Sequence, residues 1–199
     1  MQALMVALML PLTLLNVFGG IVSGIWLAVL GQWWAIGIGL AAIFAHVFIS
    51  PVMLLGLAFG APAAALINRG QYVLALPFVF LSQLFTYGVI ATWCVAAFHI
   101  FMSRADHQTY LPLLIWSYGV AVGPWGALSE RERRSGGGEA GLMATFFVQI
   151  AYVATALVVV FGTASPITWL MIFLGIMLVG LLAQTAFAAA IMFSHKPVR

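Results

Sequence analysis

Charge is the scarcest property of this sequence. Only 7 lysines and arginines and 4 aspartates and glutamates occur among 199 residues, so 6% of the chain is charged whereas 65% is hydrophobic. Soluble domains carry about a quarter charged residues, and this composition is instead typical of an integral membrane protein. The net charge of +3 reflects a small excess of basic residues and does not indicate a nucleic-acid partner.

The positions of the few charges argue against several classes of membrane protein. All of them lie outside the long apolar segments, so the buried acidic or basic residues of ion pumps are missing. The same absence argues against intramembrane aspartyl proteases, HExxH zinc proteases and phosphoryl transferases that bind a metal through carboxylates. Glycine patterns of the Walker and dinucleotide-binding types are absent too, and Gly136 to Gly138 is interpreted as a flexible link.

Cysteine is almost absent as well. Cys94 is the only one, which excludes an internal disulfide and a CxxC metal or redox motif. Since no cation is near it in the sequence, Cys94 is expected to pack as a small hydrophobic residue.

Long apolar runs make up most of what is present. A helix that crosses a bilayer needs about 20 apolar residues, and six such runs occur. The predicted spans are Ala3 to Leu30, a second ending near Gly60, Pro77 to Met102, Tyr110 to Leu128, Leu142 to Phe161 and Ile167 to Phe193. The N-terminus lacks a basic region and a convincing cleavage site, so the first run is expected to remain in the mature chain as a membrane helix.

The predicted fold is therefore an all-α integral membrane protein, a polytopic bundle of six transmembrane helices with short outer turns. Residues 1–199 form a single transmembrane domain, and 129–141 is a charged cytoplasmic loop within it. A connection from Ala61 to Leu76 is expected after the second span, with its turn at Asn68 to Gln71. Pro51 should kink the second span, because a proline leaves the carbonyl four residues earlier without its usual donor.

The orientation follows from the distribution of lysine and arginine in the short loops. With six spans, one side holds Arg69, Arg131, Arg133, Arg134, Lys196 and Arg199, and the other side holds Arg104. Both termini are then cytoplasmic, in the plasma or inner membrane. The segment from Tyr110 to Leu128 is short and rich in proline and glycine, so a bent or partly re-entrant helix is an alternative. That five-span topology also puts the charged loop and the C-terminal tail in the cytoplasm.

Small and aromatic residues predict how the helices pack. Gly20 with Gly24 and Gly56 with Gly60 have the small-xxx-small spacing and are expected to serve packing within the chain. Indole rings are frequent at the headgroup level of membranes, and four tryptophans are predicted to be anchors at the outer side. These are Trp26, Trp33, Trp34 and Trp169.

Uncharged polar residues form stripes at helical spacing and supply the candidate site. The residues predicted to line a pathway or pocket are Asn16, His46, Gln83, Tyr87, Gln149, Tyr152 and Gln184. At a rise of about 1.5 Å per residue, Asn16 and His46 lie near mid-depth and the three glutamines lie roughly 6 to 10 Å from the cytoplasmic boundary. The stripes predict either a small-solute pocket open to the cytoplasm or polar contacts that hold helices together.

His46 is the sharpest single candidate, because a neutral imidazole can donate or accept a hydrogen bond or bind a metal. The alternative is a structural histidine that pairs with a backbone carbonyl. Haem would need a second histidine at the same depth, and His99 lies about 10 Å or more away along the membrane normal. No haem, other cofactor or metal is therefore predicted.

Three functions remain open. The leading hypothesis is a permease or channel-like protein for a small neutral or weakly charged solute, without enzymatic activity. The alternative is a non-catalytic accessory subunit of a larger membrane complex, and the third is a lipid enzyme with His46 as its base. The expected partners are the lipid bilayer and either other membrane subunits or further copies of the chain.

Overall fold

The computed structural model of the chain consists of helices joined by short turns. It describes the backbone at residues 7, 10–12, 14–106, 109–134, 138–162 and 166–194, and the side chains of these ranges apart from 17, 46–55, 125–134, 138–142, 144 and 166. No strand occurs among these residues, which confirms the predicted all-helical class.

Six helical segments cover nearly all of the described chain. The first, α1, consists of a π-helical stretch, Leu15–Gly19, that continues directly into an α-helix, Gly20–Val29. The others are α2 (Trp34–Asn68), α3 (Tyr72–Arg104), α4 (Tyr110–Arg134), α5 (Gly138–Phe161) and α6 (Pro166–Ser194). Each predicted span overlaps one of these segments.

The predicted connection from Ala61 to Leu76 is wrong, because α2 continues to Asn68 and α3 begins at Tyr72. Alanine has the highest helix propensity, and the alanines at 61 and 63–65 keep the backbone helical on both sides of Pro62 although the hydropathy falls. Falling hydropathy marks where a chain can leave lipid, which is a different point from where its backbone stops being helical. At 35 residues, α2 is about 52 Å long.

The charged segment from Ser129 to Gly141 is also mostly helical rather than a loop. Its first residues form the end of α4, which extends to Arg134, and its last residues form the start of α5 at Gly138. Glutamate and arginine are good helix formers, so a charged run can extend a helix beyond an apolar segment. The side chains of this segment and the C-terminal tail from His195 lie outside the described residues.

Two tight turns end α1 and α2 in the same way. Gly31 and Gly70 have φ angles of 84° and 71°, a left-handed conformation that glycine adopts without strain. After α1, Gly31 N–H donates to Ala28 and Gln32 N–H donates to Leu27, at 2.9 and 2.8 Å. This is the Schellman pattern, and the same pair of bonds closes α2 at Gly70 and Gln71. The turn predicted at Asn68 to Gln71 is confirmed.

The helices pack in two rows of three. The order α1, α4, α5 forms one row and α2, α3, α6 the other, since each helix packs against its neighbours in these rows and against the helix opposite. The middle helices α3 and α4 have the most neighbours. Residues 112 and 113, 116–118 and 120–122 of α4 are buried. Helix α4 is continuous over 25 residues. The six-span topology and the five-span alternative both stay predictions.

Glycines allow the closest crossing, between α1 and α4. A Cβ atom added to Gly119 would lie 3.2 Å from the Cα of Gly20, so the two backbones touch. At the crossing of α2 and α3, Ser82 donates a hydrogen bond of 3.0 Å to the carbonyl of Gly56, and its hydroxyl faces Gly60. The prediction that these glycines pack within the chain is confirmed.

Aromatic rings fill the core between α3, α4, α5 and α6. Phe98 lies at its centre, with ring centroids 4.4 Å from Trp169 and 5.7 Å from Tyr152. Trp169 is 7% exposed, so its prediction as an interfacial anchor is wrong. Its position three residues into α6 places it against Phe98 rather than on the outer surface. Cys94 is buried in the same core, as expected.

A proline in α4 is compensated by a tryptophan of α3. Pro124 has no N–H, so the carbonyl of Val120 loses the donor that an α-helix normally supplies. The indole N–H of Trp93 donates to this carbonyl at 2.9 Å. One side chain therefore replaces the missing backbone donor and joins α3 to α4.

Replacing Gly180 by alanine should destabilise the contact between α5 and α6. A Cβ there would lie 2.7 Å from Cγ and 2.9 Å from Cβ of Phe147, and the ring cannot move away without shifting the backbone. Overpacking of this kind costs about 1–3 kcal/mol. The matched control is Gly175→Ala on the same helix, where no atom lies within 4 Å. Denaturant titration of the purified protein should show a lower midpoint for Gly180→Ala only, and equal midpoints would contradict the contact.

Replacing Trp93 by phenylalanine should cost about 1–3 kcal/mol, because the buried carbonyl of Val120 loses its donor. Adding Pro124→Ala supplies a backbone N–H for the same carbonyl and should recover part of that loss. A double-mutant cycle of unfolding free energies checks this coupling. Additive effects of the two substitutions would show that Trp93 does not compensate for Pro124.

Candidate functional site

The predicted site residues are distributed over four of the described helices. Asn16 belongs to α1, Gln83 and Tyr87 to α3, Gln149 and Tyr152 to α5, and Gln184 to α6. The side chain of His46, on α2, lies outside the described residues. Its functional and structural interpretations both stay predictions.

Asn16 stands apart from the others. It lies in the π-helical stretch of α1 and faces a glycine surface of α4, with its Oδ1 3.6 Å from the point that a Cβ of Gly119 or Gly123 would occupy. In the row formed by α1, α4 and α5, helix α4 stands between Asn16 and the polar residues of α5. Asn16 and Gln149 therefore lie on opposite sides of α4, and a single pathway lined by both residues would have to run past that helix.

Tyr152 is fully hydrogen-bonded within the core. It is 1% exposed, and its hydroxyl donates to Oγ of Ser117 at 2.8 Å. The Ser117 hydroxyl donates in turn to the carbonyl of Leu114 at 2.9 Å. Such a chain of bonds joins α5 to α4 and fixes the tyrosine ring, which is a structural contribution to the site.

Gln83 bonds across to the last helix. The Thr185 hydroxyl donates to Oε1 of Gln83 at 2.7 Å, and it also lies 2.8 Å from the carbonyl of Leu181. This contact joins α3 to α6. Gln184, which precedes Thr185, is buried on the same helix with 8% exposure.

Tyr87 and Gln149 differ from these residues, because they are buried without visible partners. Tyr87 is 4% exposed and Gln149 2% exposed, yet neither the Tyr87 hydroxyl nor Gln149 Oε1 has a hydrogen-bond partner among the described residues. A buried polar group without a partner costs about 1–3 kcal/mol, and native proteins contain few of them. Each such group calls for a bound water, a ligand or another specific partner.

The chemistry available at this site is that of uncharged donors and acceptors. Amide and hydroxyl groups from α3, α5 and α6 face an otherwise apolar and aromatic core. Among the described residues, no group of three or more histidine, cysteine or acidic side chains is placed to hold a metal ion. The arrangement is suited to hydrogen bonding of a small polar molecule. The number of hydrogen bonds that such a molecule can make depends on the buried donors and acceptors of the protein.

Comparisons with protein-family models, with curated proteins and with solved structures found no match to this chain.

Sequence reasoning missed the partners that satisfy the polar residues. Ser117, Thr185 and Trp93 each bond to another helix, at a separation of 27 to 102 residues along the chain. Hydrophobic periodicity identifies the face of a helix but not the residue opposite it. The one signal in the local sequence was Pro124. It leaves the Val120 carbonyl without a backbone donor, so this carbonyl requires a donor from a neighbouring helix.

Two tyrosine-to-phenylalanine substitutions should differ in their effect on the free energy of unfolding. Tyr152→Phe removes the bond to Ser117 and should cost about 1 kcal/mol. Tyr87→Phe removes a hydroxyl without a described partner and should leave the unfolding free energy equal or slightly higher. Chemical unfolding of both variants checks this contrast. A loss at Tyr87→Phe as large as that at Tyr152→Phe would show that the Tyr87 hydroxyl is satisfied in the protein.

Proposed function

We propose that the chain is a multi-pass membrane protein that binds and conducts a small neutral or weakly charged polar solute. The membrane setting is supported by two described helices, Tyr72–Arg104 and Ile167–Ser194, that are long and apolar enough to span a bilayer. In their most apolar stretches only 17% and 28% of the residues are buried by the rest of the chain. A core helix of a soluble protein would be mostly buried, so these exposed apolar faces favour lipid as their surroundings.

The surface of the whole bundle supports the same setting. Every described helix except α4 exposes several large apolar side chains, including Phe18, Phe44, Phe85 and Phe161. Soluble monomers rarely expose contiguous apolar patches larger than a few hundred Å². Tyr87 of α3, Gln149 of α5 and Gln184 of α6 are buried instead, which is the arrangement expected of polar residues near the middle of helices in lipid.

One observation carries the proposed solute site: the Tyr87 hydroxyl and Gln149 Oε1 are buried, and no hydrogen-bond partner for either atom occurs in the described part of the chain. Because leaving such groups unpaired is costly in a low-dielectric interior, they favour a bound molecule that supplies hydrogen bonds. The polar side chains described at this site are amides and hydroxyls, which fit an uncharged solute better than an ion. Gln83 and Gln184 extend the polar lining on α3 and α6.

The topology that accompanies this proposal has six spans, with both termini in the cytoplasm. It rests on the asymmetry of lysine and arginine, since Arg104 is the one basic residue on the opposite side. On this topology Gln83 and Gln184 lie in the cytoplasmic half of the bundle, and Phe98 and Trp169 close the outer half.

Osmotic light scattering of liposomes that contain the purified protein tests the proposal. Water, urea and glycerol are suitable neutral probes, with ammonia followed by an internal pH dye. We expect at least one of them to enter faster than in protein-free liposomes. Gln149→Leu and Tyr87→Phe should each lower that rate by about tenfold, the equivalent of about 1.4 kcal/mol in one buried hydrogen bond.

The matched control is Thr92→Val. Thr92 is exposed on α3, and its hydroxyl bonds to the Gly88 carbonyl of its own helix at 2.8 Å, so its loss should not change the rate. Rates equal to those of protein-free liposomes for all four probes would count against conduction. A stoichiometric membrane partner that remains bound in mild detergent would favour the accessory-subunit hypothesis instead.

A further inference from the structure

Arg104 ends α3 and lies against an aromatic ring. Its guanidinium carbon is 4.7 Å from the centroid of the Trp34 ring, at the start of α2. This is a cation–π contact, and a guanidinium can stack on an indole while its N–H groups in the plane remain available. The contact holds the planar donor group in one place.

The ring under Arg104 is itself fixed. The Trp34 indole N–H donates to Oε1 of Gln32 at 2.6 Å, and its ring meets Trp116 edge-on with centroids 5.3 Å apart. Trp116 is 2% exposed and donates to the carbonyl of Ala35 at 3.1 Å. The platform thus belongs to the buried core of α2 and α4, and little side-chain freedom remains to be lost when a ligand binds.

The side chain of Arg104 is exposed at the end of α3, so its guanidinium can be reached from outside the bundle. The acidic residue nearest in sequence is Asp106, whose Oδ1 accepts hydrogen bonds from the Thr109 backbone N–H at 2.8 Å and the Thr109 hydroxyl at 2.6 Å. Asp106 is therefore engaged in capping the start of α4.

The surroundings of Arg104 have the features of a membrane interface. The same end of the bundle carries the turn between α1 and α2, and Trp26 and Trp33 expose 53% and 68% of their surface there. Exposed indoles are typical of the headgroup level. A lone arginine at this depth meets lipid phosphates, whose oxygens match the fork of a guanidinium.

We propose that Arg104, held on Trp34, binds the phosphate of an anionic phospholipid headgroup. An acidic headgroup is favoured over a zwitterionic one because its net negative charge is attracted to the guanidinium, whereas a zwitterionic headgroup has no net charge. This inference rests on the membrane setting proposed above, but it is independent of whether the protein conducts a solute.

Native mass spectrometry of the purified protein with phosphatidylglycerol or phosphatidylcholine tests the site. The wild-type protein should retain phosphatidylglycerol in preference to phosphatidylcholine. Arg104→Gln should lower the affinity for phosphatidylglycerol by about tenfold, which corresponds to the loss of one hydrogen bond between charged groups. Arg104→Lys keeps the charge without the stacked fork and should bind more weakly than wild type. The charge-matched control is Arg69→Gln, since Arg69 is an exposed arginine in the turn at the opposite end of the bundle.

Three results would overturn the site. Equal retention of phosphatidylglycerol by the wild type and Arg104→Gln would show that Arg104 does not bind it, and full retention by Arg104→Lys would exclude the stacked fork. Displacement of the lipid by inorganic phosphate at the same concentration would assign the site to a free anion. Since lipid retention is measured without any flux, failure of solute conduction leaves this test intact.

Discussion

A helix carbonyl that has lost its donor must find another one, and in α4 this requirement joins the two central helices. Pro124 removes the backbone donor of Val120, and the indole of Trp93 supplies it from α3. In an apolar environment an unsatisfied carbonyl costs several kcal/mol, so α3 has to approach α4 at this level. This bond fixes one point of contact between the two central helices.

Elsewhere in the bundle the same physics acts through different residues. Ser82 donates to the carbonyl of Gly56, Trp116 to that of Ala35 and Tyr118 to that of Leu12, and each bond joins two helical segments. The short serine reaches its acceptor where glycines bring two backbones close, and the longer tryptophan and tyrosine side chains reach carbonyls on neighbouring segments. Tight packing and polar satisfaction are thus achieved at the same places, which explains why uncharged polar residues are common in a chain with so few charges.

The helical class, the number of helical segments and the two glycine turns could be predicted because each depends on local sequence. Apolar runs of helical length, and glycines between two such runs, can be recognised in the sequence without knowing any contact between helices. The ends of α2 and α4 could not be predicted from hydropathy, since alanine-rich and charged segments stay helical beyond the apolar region. For the candidate site, the inward faces of α3, α5 and α6 were predictable. The pairing of Gln83 with Thr185 and of Tyr152 with Ser117 depends on the register between helices, which no local pattern contains.

The crossing of α1 on α4 has a consequence for how the protein is made. Gly20 and Gly119, which touch in the finished bundle, are separated by two complete helices in the chain. During synthesis, α1 can pair with α2 at once, but its glycine face and Asn16 have no surface to pack against until α4 has been made. Assembly therefore includes a stage in which the first helix lacks its main packing partner, and synthesis of the fourth helix ends that stage.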